Sequence, residues 1–165
     1  MGHVFDVSQT DGEPLPTLVN EVADPVTRYA AVMAAVESVS AYPVTLSADM
    51  PEGTNGFFHR GELIAIRKGM AQGQTVKTAL HELAYSRLHD GDPEGMPDRA
   101  MREVQAESVA YAVSAALGLD PSGYSFGYVA SWAVGKTDEE MHACLQLVRD
   151  TAKAMVEDLQ AAMGE

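Results

Sequence analysis

Cysteine is nearly absent. The single thiol, Cys144, excludes an internal disulfide and fits a reducing compartment. Basic residues are also scarce, with 11 Lys and Arg against 24 Asp and Glu and a formal net charge of −13. They are scattered along the chain. A phosphate-binding surface needs them clustered, so this chain is expected to bind neither nucleic acid nor an anionic membrane surface. No apolar run approaches the roughly 20 residues of a membrane span. No secretory leader is visible, because Met1 is followed by Gly2, His3 and an amphipathic stretch instead of an apolar core. These absences together predict a cytoplasmic protein.

Apolar side chains, by contrast, are plentiful. At 46% of 165 residues they are too many for a disordered chain and enough to bury a core. A single domain over residues 1–165 is expected. Val4–Val7 is a short strand candidate, followed by a turn region in which Pro14 and Pro16 keep the chain out of helix. Asp24-Pro25 starts a helix with Val26, Tyr29, Met33, Val36 and Val39 at helical spacing, up to about Ala41. Val44, Leu46 and Ala48 alternate as a strand does. Phe57–His59 and Leu63–Ile66 read as a hairpin around Arg60-Gly61. The sheet therefore has three strands, or four with the N-terminal one.

A helix from Gln72 or Thr75 to His89 follows, with Val76, Leu80, Leu83, Ala84 and Leu88 as its apolar stripe. Asp98 caps another that ends near Gly118. Tyr124–Trp132 is an aromatic segment, read as a short helix that packs into the core. Thr137 or Asp138 caps the last helix, which runs to about Met163 with Met141, Leu145, Val148, Ala152, Met155, Val156 and Leu159 inward. The expected fold is α+β, with a small twisted sheet packed on the Gln72–His89 helix and further long helices alongside.

The chemistry concentrates in KTALHELAYSRLHD, from Lys77 to Asp90. His81 and Glu82 are adjacent, and Tyr85 and His89 follow at steps of four, on the face beside the apolar stripe. With His in place of Tyr85 this would be HExxH, in which two histidines one turn apart bind zinc and the Glu takes a proton from water. Such a site needs a third ligand, often a Glu from a following helix. Glu103 and Glu107 are both candidates, since they lie one turn apart on a mostly apolar helix where unpaired carboxylates are costly. The plainer reading is an exposed stripe pairing with Arg99 and Arg102. His59 reads as a surface hairpin residue.

From Phe5 to about Ala154 the chain resembles the zincin-like metallopeptidase domain of ArdC-type antirestriction and conjugative-element proteins, within the ImmA/IrrE peptidase group. The matching pieces are FDVSQTDGEPLP (Phe5–Pro16), VKTALHELA (Val76–Ala84), LHD (Leu88–Asp90), REVQAESVAY (Arg102–Tyr111) and GLDPSGYSFGYVASW (Gly118–Trp132). The resemblance implies a zinc metallopeptidase acting on peptides or proteins, with His81 and Glu103 as ligands and Glu82 as general base. It implies that Glu107 holds a ligand histidine by its free ring N–H. It also implies a single-stranded-DNA-binding region elsewhere, so this chain reads as one domain of a longer protein. The departure is at the second ligand, where the family has HELAH and this chain has HELAY. A phenol must lose a proton of pKa near ~10 to bind zinc well. His89 lies two turns from His81, about 12 Å along the axis, and cannot replace it. It is expected in a supporting place beside the site. The expectation is thus a zinc site weakened or absent at Tyr85, with hydrolysis impaired. The alternative is a non-catalytic module that holds a peptide or partner protein in the same cleft.

Overall fold

A computed structural model describes residues 28–91, 94–120, 124 and 137–165. Its elements are α1 (Tyr29–Val39), β1 (Val44–Ser47), β2 (Gly56–His59), β3 (Leu63–Arg67), α2 (Gln72–His89), α3 (Arg99–Ala116) and α4 (Asp138–Met163). The architecture is α+β, with four helices and a mixed sheet of three strands among the described residues. None of these helices is long and apolar enough to cross a membrane. The strand expected at Val4–Val7, the helix start at Asp24-Pro25 and the aromatic stretch after Tyr124 lie outside the described residues.

The order in the sheet is β1-β3-β2. β2 and β3 form the expected hairpin, with Phe58 opposite Ile64. Gly61, at φ 76°, takes the left-handed position in its turn, where a side chain would be strained. β1 runs parallel to β3, with Val44 opposite Ile64. β3 is therefore central, and its Ile64, Ala65 and Ile66 are all buried, as a strand covered on both faces requires. β1 is an edge, and its Leu46 remains 49% exposed.

α2 packs between the sheet and the other helices, so its buried arc is wider than one stripe. Val76, Ala79, Leu80, Leu83 and Ala84 are buried, and so are Thr75, Thr78, Glu82 and Ser86. Leu88 is only half-buried. Burial of a side chain such as Leu80 contributes roughly 1.5–3 kcal/mol. α2 has no side-chain N-cap, so packing, more than end chemistry, holds it. α3 and α4 are capped as expected. The Asp98 side chain accepts from the Met101 N–H at 2.8 Å, and α3 closes in a Schellman turn through Gly118 and Leu119. Thr137 and Glu140 make a reciprocal capping box at the start of α4. The inward face of α4 differs from expectation by one position. Cys144, Ala152, Met155 and Leu159 are buried, while Leu145 is 58% exposed. Steps of four and three from Leu159 lead back to Cys144, which leaves Leu145 about 100° round the helix.

β2 crosses α2 at unusually close range. A Cβ on Gly56 would lie 2.5 Å from Thr78 Cγ2 and 3.0 Å from Glu82 Cγ. Both neighbours are on a buried helix with little room to move. Gly56→Ala is expected to destabilise the fold by about 1–3 kcal/mol in urea denaturation, through overpacking. Adding Thr78→Ser, which removes the clashing methyl, recovers part of that loss. If Gly56→Ala alone is neutral, the close crossing is wrong.

Candidate functional site

β2, α2 and α3 enclose a cleft of about 690 Å³. Its floor carries His81, Glu82 and Tyr85 from α2. One wall is Gly56–Phe58 of β2, and the other carries Glu103 and Glu107 from α3. The rim loop before β2 is braced by Arg67, whose Nε and Nη2 donate to the carbonyls of Thr54 (2.8 Å) and Pro51 (2.6 Å).

His81 is held at both ring nitrogens. Nδ1–H donates to Glu107 Oε2 at 3.0 Å, and Nε2 lies 3.5 Å from Glu103 Oε2. Burial opposes a charge here. The bonds to Glu103 and Glu107, with the field of Glu82, outweigh it and push the imidazole up to about 10. Each carboxylate has a further cation. Lys77 Nζ is 3.6 Å from Glu107, and Arg99 Nε is 3.8 Å from Glu103. The hydrogen bond to His81 holds Glu103 below the usual carboxylate range, against the effect of burial.

Glu82 is 8% exposed. Burial pushes its carboxyl up to about 7, opposed by the His81 charge and by a hydrogen bond from the Phe58 backbone. The close crossing at Gly56 is what brings β2 near enough for that bond.

Tyr85 stands in the place where HExxH has its second histidine. Burial raises its phenol above the usual 10, with Arg102 opposing, so it stays protonated at neutral pH. Its ring centroid is 6.4 Å from that of His81 and 4.9 Å from that of His89, which meets it edge-on. His89 lies behind Tyr85 and is 2% exposed. Burial lowers its pKa, against a hydrogen bond to the Arg102 backbone, so the ring is neutral. It touches Tyr85 and has no contact with His81 like that of Glu107.

The structure thus brings His81, Glu82, Tyr85, Glu103 and Glu107 to one cleft and sets His89 behind it. Arg99 pairs with Glu103 as the plainer reading expected, but the same carboxylate also faces His81. His59 is an exposed hairpin residue beside Glu62 at 3.3 Å. Tyr124 is core, with its hydroxyl 2.7 Å from Ser114 Oγ. Cys144 is buried against Gln105. Two contributors were not anticipated. Lys77 sits one turn before His81 and was legible from that spacing. Gly56 gave no local signal, because its partners come from another element. Arg102, expected to pair with the Glu103 and Glu107 stripe, instead lies over the Tyr85 ring.

Zinc of the thermolysin type takes three protein donors. His81 Nε2 and a Glu103 oxygen converge, and the residue one turn after His81 is the half-buried Tyr85, a protonated phenol. Among the described residues no group of three or more His, Cys, Asp or Glu side chains is arranged to hold a metal ion.

No family model matches the chain, and no solved structure does. A stretch of 91 residues, 54% of the chain, is 29% identical to an uncharacterised protein of Bacillus anthracis. It spans 15% of the length of that relative.

Glu82 and His81, both raised, contribute to the pH dependence of stability. Glu82 stabilises the fold fully below its unfolded value of 4.5, and that contribution is lost as pH rises through about 7. His81 stabilises fully below 6.5, with the loss falling near 10. Between pH 5 and 8 the unfolding free energy of the wild type should therefore drop relative to Glu82→Gln by roughly 3 kcal/mol. Parallel pH profiles for the two proteins in urea denaturation contradict the burial of an ionisable Glu82.

Proposed function

We propose that this chain is a metallopeptidase-like domain of the kind found in antirestriction and mobile-element proteins, with its metal site weakened or lost at Tyr85. Its cleft holds an extended peptide or a segment of a partner protein. The observation that carries this reading is His81, held at Nδ1 by Glu107 and faced at Nε2 by Glu103, next to the buried Glu82. Placing a buried carboxyl beside a partly buried histidine and two partly buried carboxylates at a cleft is costly, and packing alone gives no reason for it. In a zincin the same four positions serve as ligand, base, third ligand and outer-sphere partner. The zincin-like form of the α+β fold belongs to this proposal.

β2 supports the peptide-binding half of the reading. It is an edge of the sheet among the described residues and runs along the cleft wall. An extended chain can pair with such an edge through its backbone. A cytoplasmic setting, and nucleic acid bound by another domain of a longer protein if at all, belong to the same reading.

One observation favours surviving hydrolysis. A carboxyl near 7 is in the range of a general base at neutral pH. The two readings separate on metal and turnover. Wild-type protein is expected to purify without stoichiometric zinc and to melt at the same temperature with or without a chelator. Tyr85→His should tighten zinc binding by at least about tenfold, since even an outer-sphere partner changes affinity that much. Stoichiometric zinc on the wild type, with casein cleavage that Glu82→Ala abolishes, contradicts a lost site.

A further inference from the structure

The chain is acidic overall, with a net charge of −13, yet three of its 11 basic residues, Lys77, Arg99 and Arg102, line this one cleft. Two of them are matched by carboxylates. Lys77 faces Glu107 at 3.6 Å and Arg99 faces Glu103 at 3.8 Å. Arg102 differs. Its Nε is buried without a hydrogen-bond partner, and no carboxylate pairs with it among the described residues. A buried guanidinium N–H with no protein acceptor is costly and calls for a partner from outside the chain, a water or a ligand.

The support of Arg102 is as distinctive as its missing partner. Its guanidinium carbon lies 5.9 Å from the centroid of the Tyr85 ring, within reach of a cation–π contact. Its backbone lies beside the His89 ring, and His89 in turn meets the Tyr85 ring edge-on at 4.9 Å. Tyr85, His89 and Arg102 therefore brace one another across α2 and α3. At position 85 an imidazole offers a smaller face than a phenol. The residue that weakens a metal site is the one that carries the guanidinium.

We propose that Arg102, resting on Tyr85, anchors an acidic side chain of the peptide that occupies the cleft. A guanidinium offers paired N–H donors that match a carboxylate, and a stacked one loses little freedom on binding it. This rests on the reading of the cleft as a peptide site and adds the class of peptide. An acidic side chain on a passing strand fits better than a chain end. Arg102 is on the wall opposite β2, and backbone pairing along β2 needs the peptide to continue past it.

Fluorescently labelled peptides with blocked ends, neutral except for one Glu moved along the sequence, test it by anisotropy in the presence of a chelator. Matched Gln peptides and a Glu-free peptide with a free C-terminus are the controls. At one register the Glu peptide should bind wild type roughly 10- to 100-fold more tightly than its Gln twin, the range of a charge-assisted hydrogen bond. Arg102→Gln should abolish that preference while retaining the weak binding of the Gln peptide, and Arg102→Lys should restore it only in part. Tyr85→Phe should keep the preference, whereas Tyr85→Leu, folded by its melting curve, should reduce it. Equal affinity for Glu and Gln peptides overturns the anchor and leaves the peptide site standing. A preference only for the free C-terminus also overturns it. No binding of any peptide overturns both the anchor and the peptide site.

Discussion

The imidazole of His81 ties the two central helices together. It belongs to α2, and both carboxylates that hold it belong to α3, one turn apart. A contact of this kind fixes rotation as well as distance. Turning α3 by a single residue would swing Glu103 and Glu107 away by about 100° and strand three ionisable groups. Lys77 and Arg99 extend the same network at its two ends. The cleft keeps its shape because the network of His81, Glu103, Glu107, Lys77 and Arg99 has one arrangement in which its charges are met.

The sheet depends on this floor from the other side. Gly56 lets β2 come within contact of Thr78 and Glu82. The Phe58 backbone then reaches the Glu82 carboxyl. Backbone of an edge strand, a buried carboxyl and a clamped imidazole thus meet in one place. That convergence carries the proposed metallopeptidase-like origin, and Tyr85 is where the chemistry departs from it. A phenol that burial keeps protonated is a poor metal donor and a good aromatic platform.

Much of this architecture was legible in the sequence where the signals are local. Thr137 and Glu140, Asp98, and the Gly118 stop marked helix ends because capping is a matter of a few neighbouring residues. The hairpin followed from Arg60-Gly61 between two short apolar runs. The stripe of Glu103 and Glu107 was visible as a spacing of four, and the structure sets both beside His81. Features made between distant segments were not legible. The parallel pairing of β1 with β3 passes over an intervening strand, and nothing in the alternation of Val44 and Leu46 encodes it. The outward turn of Leu145 depends on how α4 rests on α1 and α3. The Arg102–Tyr85 contact joins two helices whose periodicities are independent.

The protonation of His81 tests the account most directly. With imidazole-labelled protein, nitrogen chemical shifts report each ring nitrogen separately across a pH titration. The clamp predicts that His81 remains doubly protonated through neutral pH and titrates near 10, with Nδ1 hydrogen-bonded throughout. Glu107→Gln should bring that midpoint down. An imidazole that titrates near its ordinary 6.5, with Nδ1 free, contradicts the clamp and the site built on it.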